Sequence, residues 1–132
     1  MAKKCCLIPK NDVQAGYADM YNHYFTEMFD LIGGYNFEPN ATLKDQKLIA
    51  LVNMWPIFLQ RVEKRIIANG CGVIAGNDIS YADLYLVSIL DNYYKQFGGN
   101  MTGYPNTKAL DDRVRALPKV AAWLASRPVT PT

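Results

Sequence analysis

The sequence has no apolar run long enough to cross a membrane or to act as a secretory signal. Its first nine residues, MAKKCCLIP, hold two lysines and only a short apolar stretch, whereas a membrane helix needs about 20 consecutive apolar residues. We therefore expect no membrane partner, and we predict a cytoplasmic location.

The sequence also has little excess of one charge, because 14 basic and 12 acidic residues leave a net charge of +2. A nucleic-acid partner is not predicted from so small and scattered an excess. The three cysteines, Cys5, Cys6 and Cys71, do not suggest a disulfide framework, since their number is odd and two are adjacent. With one histidine and no CxxC spacing, no metal site and no bound cofactor are expected.

What the sequence does have is a helical spacing of apolar residues along most of its length. Steps of three and four dominate, and no stretch alternates as a strand does. The predicted fold class is therefore all-α, a bundle of about five helices in one domain over residues 12–132, after a flexible lead-in over residues 1–11. The helices are predicted at about 12–33, 43–69, 81–96, 105–116 and from 118 onwards.

Three local signals refine the first two helices. Gly33 and Gly34 are predicted to end the first helix, because glycine tolerates the left-handed turn found there. Thr42 can cap the second through its side-chain oxygen. Pro56 lies inside that second helix, where a missing N–H and a steric clash predict a kink without a stop.

Two polar residues, Ser80 and Asp83, interrupt the largely apolar segment GNDISYADLYL. A catalytic pair is one interpretation and a capping box is the other. The spacing favours the capping box, in which the serine caps a helix and an acid three residues later bonds the N–H of the cap. Ile79 and Leu84 stand where a hydrophobic staple places its two apolar residues. The helix that follows is apolar on nearly all sides, which predicts a central position in the domain.

Three segments together resemble one protein family. GVIAGNDISYADLYL, YPNTKALDDRVRALPKVAAWLASRP and WPIFLQRVEKRI are similar to the C-terminal helical domain of cytosolic glutathione transferases. The sigma class, with its prostaglandin D synthase and S-crystallin types, is the nearest resemblance. Trp55 and Trp123 are expected to pack in the core.

The resemblance implies roles for four residues. Glu27 corresponds to an acid that reaches the glutathione bound by a partner subunit, with a solvated glutamate as the alternative. Phe29, Tyr85 and Ile89 correspond to positions that line the hydrophobic substrate pocket, with plain core packing as the alternative.

The family's thioredoxin-like domain, which activates the glutathione thiol, has no counterpart in these residues. The resemblance therefore implies a domain that supplies the apolar-substrate and dimerisation half and is not catalytic alone, with glutathione a co-substrate only if the other half is supplied. A working transferase completed by another chain, a docking module and a crystallin-like structural protein remain alternatives. We expect a homodimer built on the first two helices, and an apolar small-molecule ligand.

Overall fold

The computed structural model describes residues 6–128 and shows five α-helices without a strand in that range. The predicted all-α bundle is confirmed. In chain order the helices are α1 (Asp12–Asn36), α2 (Ala41–Asn69), α3 (Tyr81–Phe97), α4 (Pro105–Arg115) and α5 (Pro118–Ser126).

The end of α1 differs from the prediction. Gly33 and Gly34 lie inside the helix, which continues to Asn36 and is closed by an N–H···O bond of 3.0 Å from Phe37 to Gly33. The added turn is held by tertiary packing, because the ring of Tyr35 lies 5.3 Å from that of Phe97 on α3. This packing offsets the low helix propensity of two glycines.

The start of α2 also differs, because Asn40 is the N-cap and Thr42 lies within the first turn. The Asn40 side chain accepts the Leu43 N–H at 3.1 Å, and asparagine is among the most favoured N-cap residues. From there α2 continues through Pro56 without a break and ends at Gly70, which has a left-handed φ of 77°.

The core lies between α3 and its neighbours. Helix α3 packs against α1 and α4, and α2 packs against the same two helices. All residues of α3 except Ser88 and Lys95 are at least partly buried, which agrees with the predicted central position of this helix. Trp55 is buried, as expected, and stacks on Tyr93 of α3 at a centroid separation of 3.5 Å. The largest fully buried side chains come from all of the first four helices and the loop before α3: Phe25, Phe58, Ile32, Leu51, Leu59, Ile66, Ile74, Leu86, Ile89, Leu90, Leu110 and Val62.

Helix α5 is the exception, since none of its residues is buried. The prediction that Trp123 packs in the core is wrong, because its side chain is 61% exposed. Val120 and Leu124 take the half-buried positions of this nine-residue helix and leave Trp123 on the outer side. An ion pair of 3.1 Å between Arg127 and Asp91 ties the end of α5 to α3.

Residues 6–11 cross the start of α3, where the Leu7 carbonyl accepts the N–H of Tyr81 at 3.0 Å. Cys5 and the other residues before Cys6 lie outside the described range, so a flexible lead-in stays a prediction. No helix between residues 6 and 128 has the length and apolarity to traverse a bilayer.

Candidate functional site: the α1–α3 surface

Ser80 and Asp83 form a capping box at the start of α3. Oδ2 of Asp83 accepts the N–H of Ser80 at 2.7 Å and its hydroxyl at 2.8 Å, while Oδ1 accepts the Ile74 N–H at 2.8 Å. Burial raises the pKa of this carboxyl against the effect of those bonds. Because the side chain is 0% exposed and both oxygens are bonded to protein groups, the pair fastens the loop before α3 and offers nothing to a substrate.

The two apolar residues of the predicted staple, Ile79 and Leu84, are half-buried and both pack against the core. They flank the capping box on either side. The start of α3 therefore combines buried polar bonds with apolar packing, which fixes the direction of the helix that carries Tyr85.

The structure brings two of the three predicted pocket residues together. The rings of Phe29 on α1 and Tyr85 on α3 have centroids 6.4 Å apart, and Phe29 is 43% exposed. Tyr85 also packs edge-on against buried Phe25 at 6.4 Å. Ile89 is 0% exposed and belongs to the core, so its side chain is not accessible at this surface. Its role in a substrate pocket, like that of the other two, stays a prediction.

Glu27 is exposed on α1, two residues before Phe29. It forms no ion pair or side-chain hydrogen bond with any residue between 6 and 128. Its carboxylate is therefore available to solvent or to a bound molecule. Its contact with glutathione stays a prediction.

A cavity of about 720 Å³ lies where α1 and α3 end beside the start of α2, and sequence reasoning missed it. Lys44 lies 4.9 Å from the ring centroid of Tyr35, which forms part of its wall. The segment GGYNFEPN places two aromatic residues, Tyr35 and Phe37, between a pair of glycines and a proline. This placement was the signal of the cavity in the sequence. The lining residues are Tyr35, Asn36, Phe37, Lys44, Asn92, Lys95, Gln96 and Phe97.

Glu63 was also missed, although it positions α4. Its carboxylate accepts the backbone N–H of Asn106 at 3.0 Å and of Thr107 at 2.8 Å, together with the side chains of both. Burial opposes ionisation, but these four bonds outweigh it and lower the pKa of Glu63. Its position among the buried residues Leu59, Val62 and Ile66 of α2 was the only signal in the sequence.

In the part of the chain that the structure covers, no three His, Cys, Asp or Glu side chains converge as metal ligands would. The groups available for binding are the ring pair of exposed Phe29 and half-buried Tyr85, the exposed carboxylate of Glu27 on a different side of α1, and the lysine-bearing cavity. Such a set can bind apolar or amphipathic molecules.

Comparison with known proteins identifies the fold. Residues 18–127 match the family model described as "Glutathione S-transferase, C-terminal domain". The chain belongs to the glutathione S-transferase family. It is 30% identical to glutathione S-transferase P 1 of Xenopus laevis over 99% of its own length, and 32% identical to glutathione S-transferase S1 of Drosophila melanogaster over 72%.

Solved structures agree with this family. The prostaglandin synthase D of Nilaparvata lugens superposes with a TM-score of 0.88 and 28% identity over 98% of this chain. The matched regions are only part of each relative, because the chain spans 63% of the Xenopus protein, 39% of the Drosophila protein and 65% of the Nilaparvata structure.

Proposed function

We propose that this chain works as the helical half of a sigma-like glutathione transferase. It supplies one wall of the apolar-substrate pocket through Phe29 and Tyr85, and a subunit contact through α1 and α2. The thiol chemistry belongs to a thioredoxin-like half. Glutathione is then a co-substrate of the completed protein, whose location we predict to be cytoplasmic.

The ring pair of exposed Phe29 and half-buried Tyr85 carries this proposal. An aromatic side chain that is 43% exposed beside a second ring leaves apolar surface that a ligand or an adjoining domain can cover. The pair stands on two packed helices with Phe25 behind it, so its geometry is rigid before anything binds. A preformed apolar wall is typical of small-molecule sites.

Glu27 contributes to the proposal from a different side of α1 than Phe29, because residues two apart on a helix do not face each other. Because its carboxylate has no partner between residues 6 and 128, it is free to accept hydrogen bonds from an ammonium or amide group, both of which glutathione carries. A charge-assisted bond of this kind is stronger than one between neutral groups. We assign Glu27 to glutathione held by a second subunit.

The first test is conjugation of glutathione to a chlorodinitrobenzene. We expect no turnover by this chain above the uncatalysed rate, because activation of a thiol needs a positioned partner group. Fusion behind the thioredoxin-like half of the Nilaparvata relative should restore turnover. Measurable turnover by the unfused chain would overturn the assignment of thiol chemistry to the other half.

The fused protein then tests the individual residues. Phe29→Ala and Tyr85→Ala should raise KM for the apolar electrophile with little change in KM for glutathione, whereas Glu27→Gln should raise KM for glutathione alone. Asp112→Asn, which alters an exposed ion pair on α4, is the matched control for lost charge. Equal effects on both substrates from all three variants would contradict the roles assigned here.

A further inference from the structure

Two consecutive glycines lie near the end of α1 at positions where other residues would fit. Gly33 and Gly34 are helical and have no positive φ, and no neighbouring group among residues 6–128 lies within 4 Å of where a Cβ would stand. Neither a left-handed turn nor a close approach therefore requires glycine here. Because glycine disfavours a helix interior more than any residue except proline, the pair weakens this part of α1.

The residues that follow the glycine pair have little packing. Ile32, directly before the pair, is 1% exposed and anchors α1 in the core, whereas none of residues 33–40 is buried. Phe37 is 88% exposed, and Pro39 follows two residues later, just before α2. Segments with few buried apolar contacts open at low free energy while the rest of a fold stays closed. Residues 35–39 therefore form a short flap between the glycine pair and α2.

Side-chain contacts with α2 and α3 hold the flap against the bundle. The ring of Tyr35 packs on that of Phe97 at a centroid distance of 5.3 Å, and the ammonium of Lys44 lies 4.9 Å from the ring centroid of Tyr35. Lys47 donates to the Gly34 carbonyl at 3.0 Å. These contacts lie at exposed or half-buried positions, so they can break and form again while the core stays intact.

The flap also forms one wall of the cavity of about 720 Å³. Tyr35, Asn36 and Phe37 line the cavity from the flap, and Lys44 lines it from α2. The remaining lining residues belong to α3. A movement of the flap therefore changes the size of the cavity, whereas the opposite wall stays fixed on the central helix.

We propose that residues 35–39 are a hinged flap over this cavity. The flap opens when α1 unwinds at Gly33 and Gly34, which moves Tyr35 away from Phe97. Opening widens the mouth of the cavity for molecules that are too large for the closed form. This movement depends only on contacts within the chain, so the inference stands whether or not the chain is the half of a transferase.

Amide hydrogen exchange measures how often the flap opens. The N–H of Phe37 donates to the Gly33 carbonyl at 3.0 Å, and that of Glu38 donates to the Tyr35 carbonyl at 3.3 Å. Both amides therefore exchange when the flap opens. Gly33→Ala and Gly34→Ala should each raise the protection factors of these two amides by about fivefold, because alanine favours the helix over glycine by roughly that factor. The amides of α3 should keep their protection.

Gly16→Ala is the matched control. Gly16 also lies within α1 with open space where a Cβ would stand, but it is about five turns from the flap. It should leave the protection of the flap amides unchanged. Tyr35→Ser removes the ring contact with Phe97 at a similar helix propensity, and it should lower the protection of the same amides severalfold.

A thiol inside the cavity tests whether the flap controls entry. Asn92→Cys places this thiol on the α3 wall, and its reaction with a bulky fluorescein maleimide should require the open flap. Adding Gly33→Ala and Gly34→Ala together should slow this reaction by roughly 20-fold, since two fivefold effects combine, and Tyr35→Ser should speed it severalfold. Mass spectrometry of the tryptic peptides follows each thiol separately.

Exposed Cys71, which does not line the cavity, is the internal control, and its reaction rate should be the same in every variant. Equal protection of the flap amides in the wild type and in the double glycine variant would show that the glycine pair is not a hinge. Slower exchange with an unchanged rate at residue 92 would show that α1 frays at its end without closing the cavity. Either result would overturn the proposal.

Discussion

At the scale of single residues, sequence spacing predicts contacts within one turn of helix and misses those that join distant segments. Ser80 and Asp83 are three residues apart, so a capping box could be read directly from their order. Glu63 and Thr107 are 44 residues apart, and nothing local to either predicts their bond. The same holds for the buried hydroxyl of Tyr24, which has no hydrogen-bond partner among residues 6–128 because of how the helices pack around it.

The capping box leads to a prediction of stability. Ser80→Ala and Asp83→Ala should each lower the free energy of unfolding by on the order of 1 kcal/mol or more, since each removes bonds from a buried helix start. The double variant should lose less than the sum of the two, because both residues serve one motif. Urea unfolding followed by circular dichroism measures all three.

Ser88→Ala, an exposed position in the interior of α3, is the control for the loss of a serine hydroxyl. It should change the free energy of unfolding little. If the Ser80 and Asp83 variants matched the wild type in midpoint and slope, the box would contribute nothing to stability.

At the scale of helices, their number and order followed from the sequence, while several ends did not. Apolar spacing sets where a helix must lie, but Gly33 and Gly34 stay helical because Tyr35 packs on Phe97 from α3. Trp123 shows the reverse case, since an apolar residue in a helical pattern remains exposed when its short helix packs mainly on α4 and buries none of its residues. Propensity is a weak guide where tertiary contacts decide.

Helix α5 yields a prediction about pH, because Asp91 accepts bonds from both Arg115 and Arg127. Burial of Asp91 favours its neutral form, but the bonds from Lys95, Arg127 and Arg115 outweigh burial and lower its pKa. A lowered pKa means that the folded state binds the proton less tightly than the unfolded chain does. At pH values above the ordinary pKa of a carboxyl group, Asp91 therefore adds to the stability of the folded state. That contribution is lost as the pH falls through the lowered pKa of Asp91.

We expect α5 to loosen before the rest of the bundle on acidification, and Arg127→Gln to loosen it already at neutral pH. Amide hydrogen exchange followed by NMR should show lower protection in α5 of this variant and unchanged protection in α3. Lys108→Gln, which breaks an exposed ion pair within α4, should leave both helices as they are. Full protection of α5 in Arg127→Gln would mean that apolar contacts alone hold the helix.

At the scale of the molecule, the arrangement of helices around α3 could be predicted, since an all-round apolar helix has to lie in the centre. The surface sites could be predicted only in part. The sequence pattern places Phe29 and Tyr85 on helix faces, but it cannot show that their rings meet. The cavity between Tyr35 and Phe97 depends on how α1 packs against α2 and α3, and the spacing of apolar residues does not predict that packing.

The exposed apolar residues of α1 and α2 argue for self-association. Val13 and Met20 of α1 are 66% and 54% exposed, and on α2 Ile57 and Ile67 are 44% and 59% exposed. Large exposed apolar areas usually mark association sites, and one face repeated on two identical chains closes most simply as a two-fold dimer. We therefore predict a homodimer through α1 and α2.

Light scattering at micromolar concentration measures this association. The wild type should show about twice the 14.9 kDa of one chain, and Met20→Lys or Ile57→Lys should reduce the mass to that of one chain, because a buried unpaired charge opposes an apolar contact. Phe37→Lys replaces a residue that is 88% exposed beyond the end of α1 and should leave the dimer intact. A wild-type mass of one chain that does not rise with concentration would exclude the dimer, and the apolar face of α1 and α2 would then be left to a different partner domain.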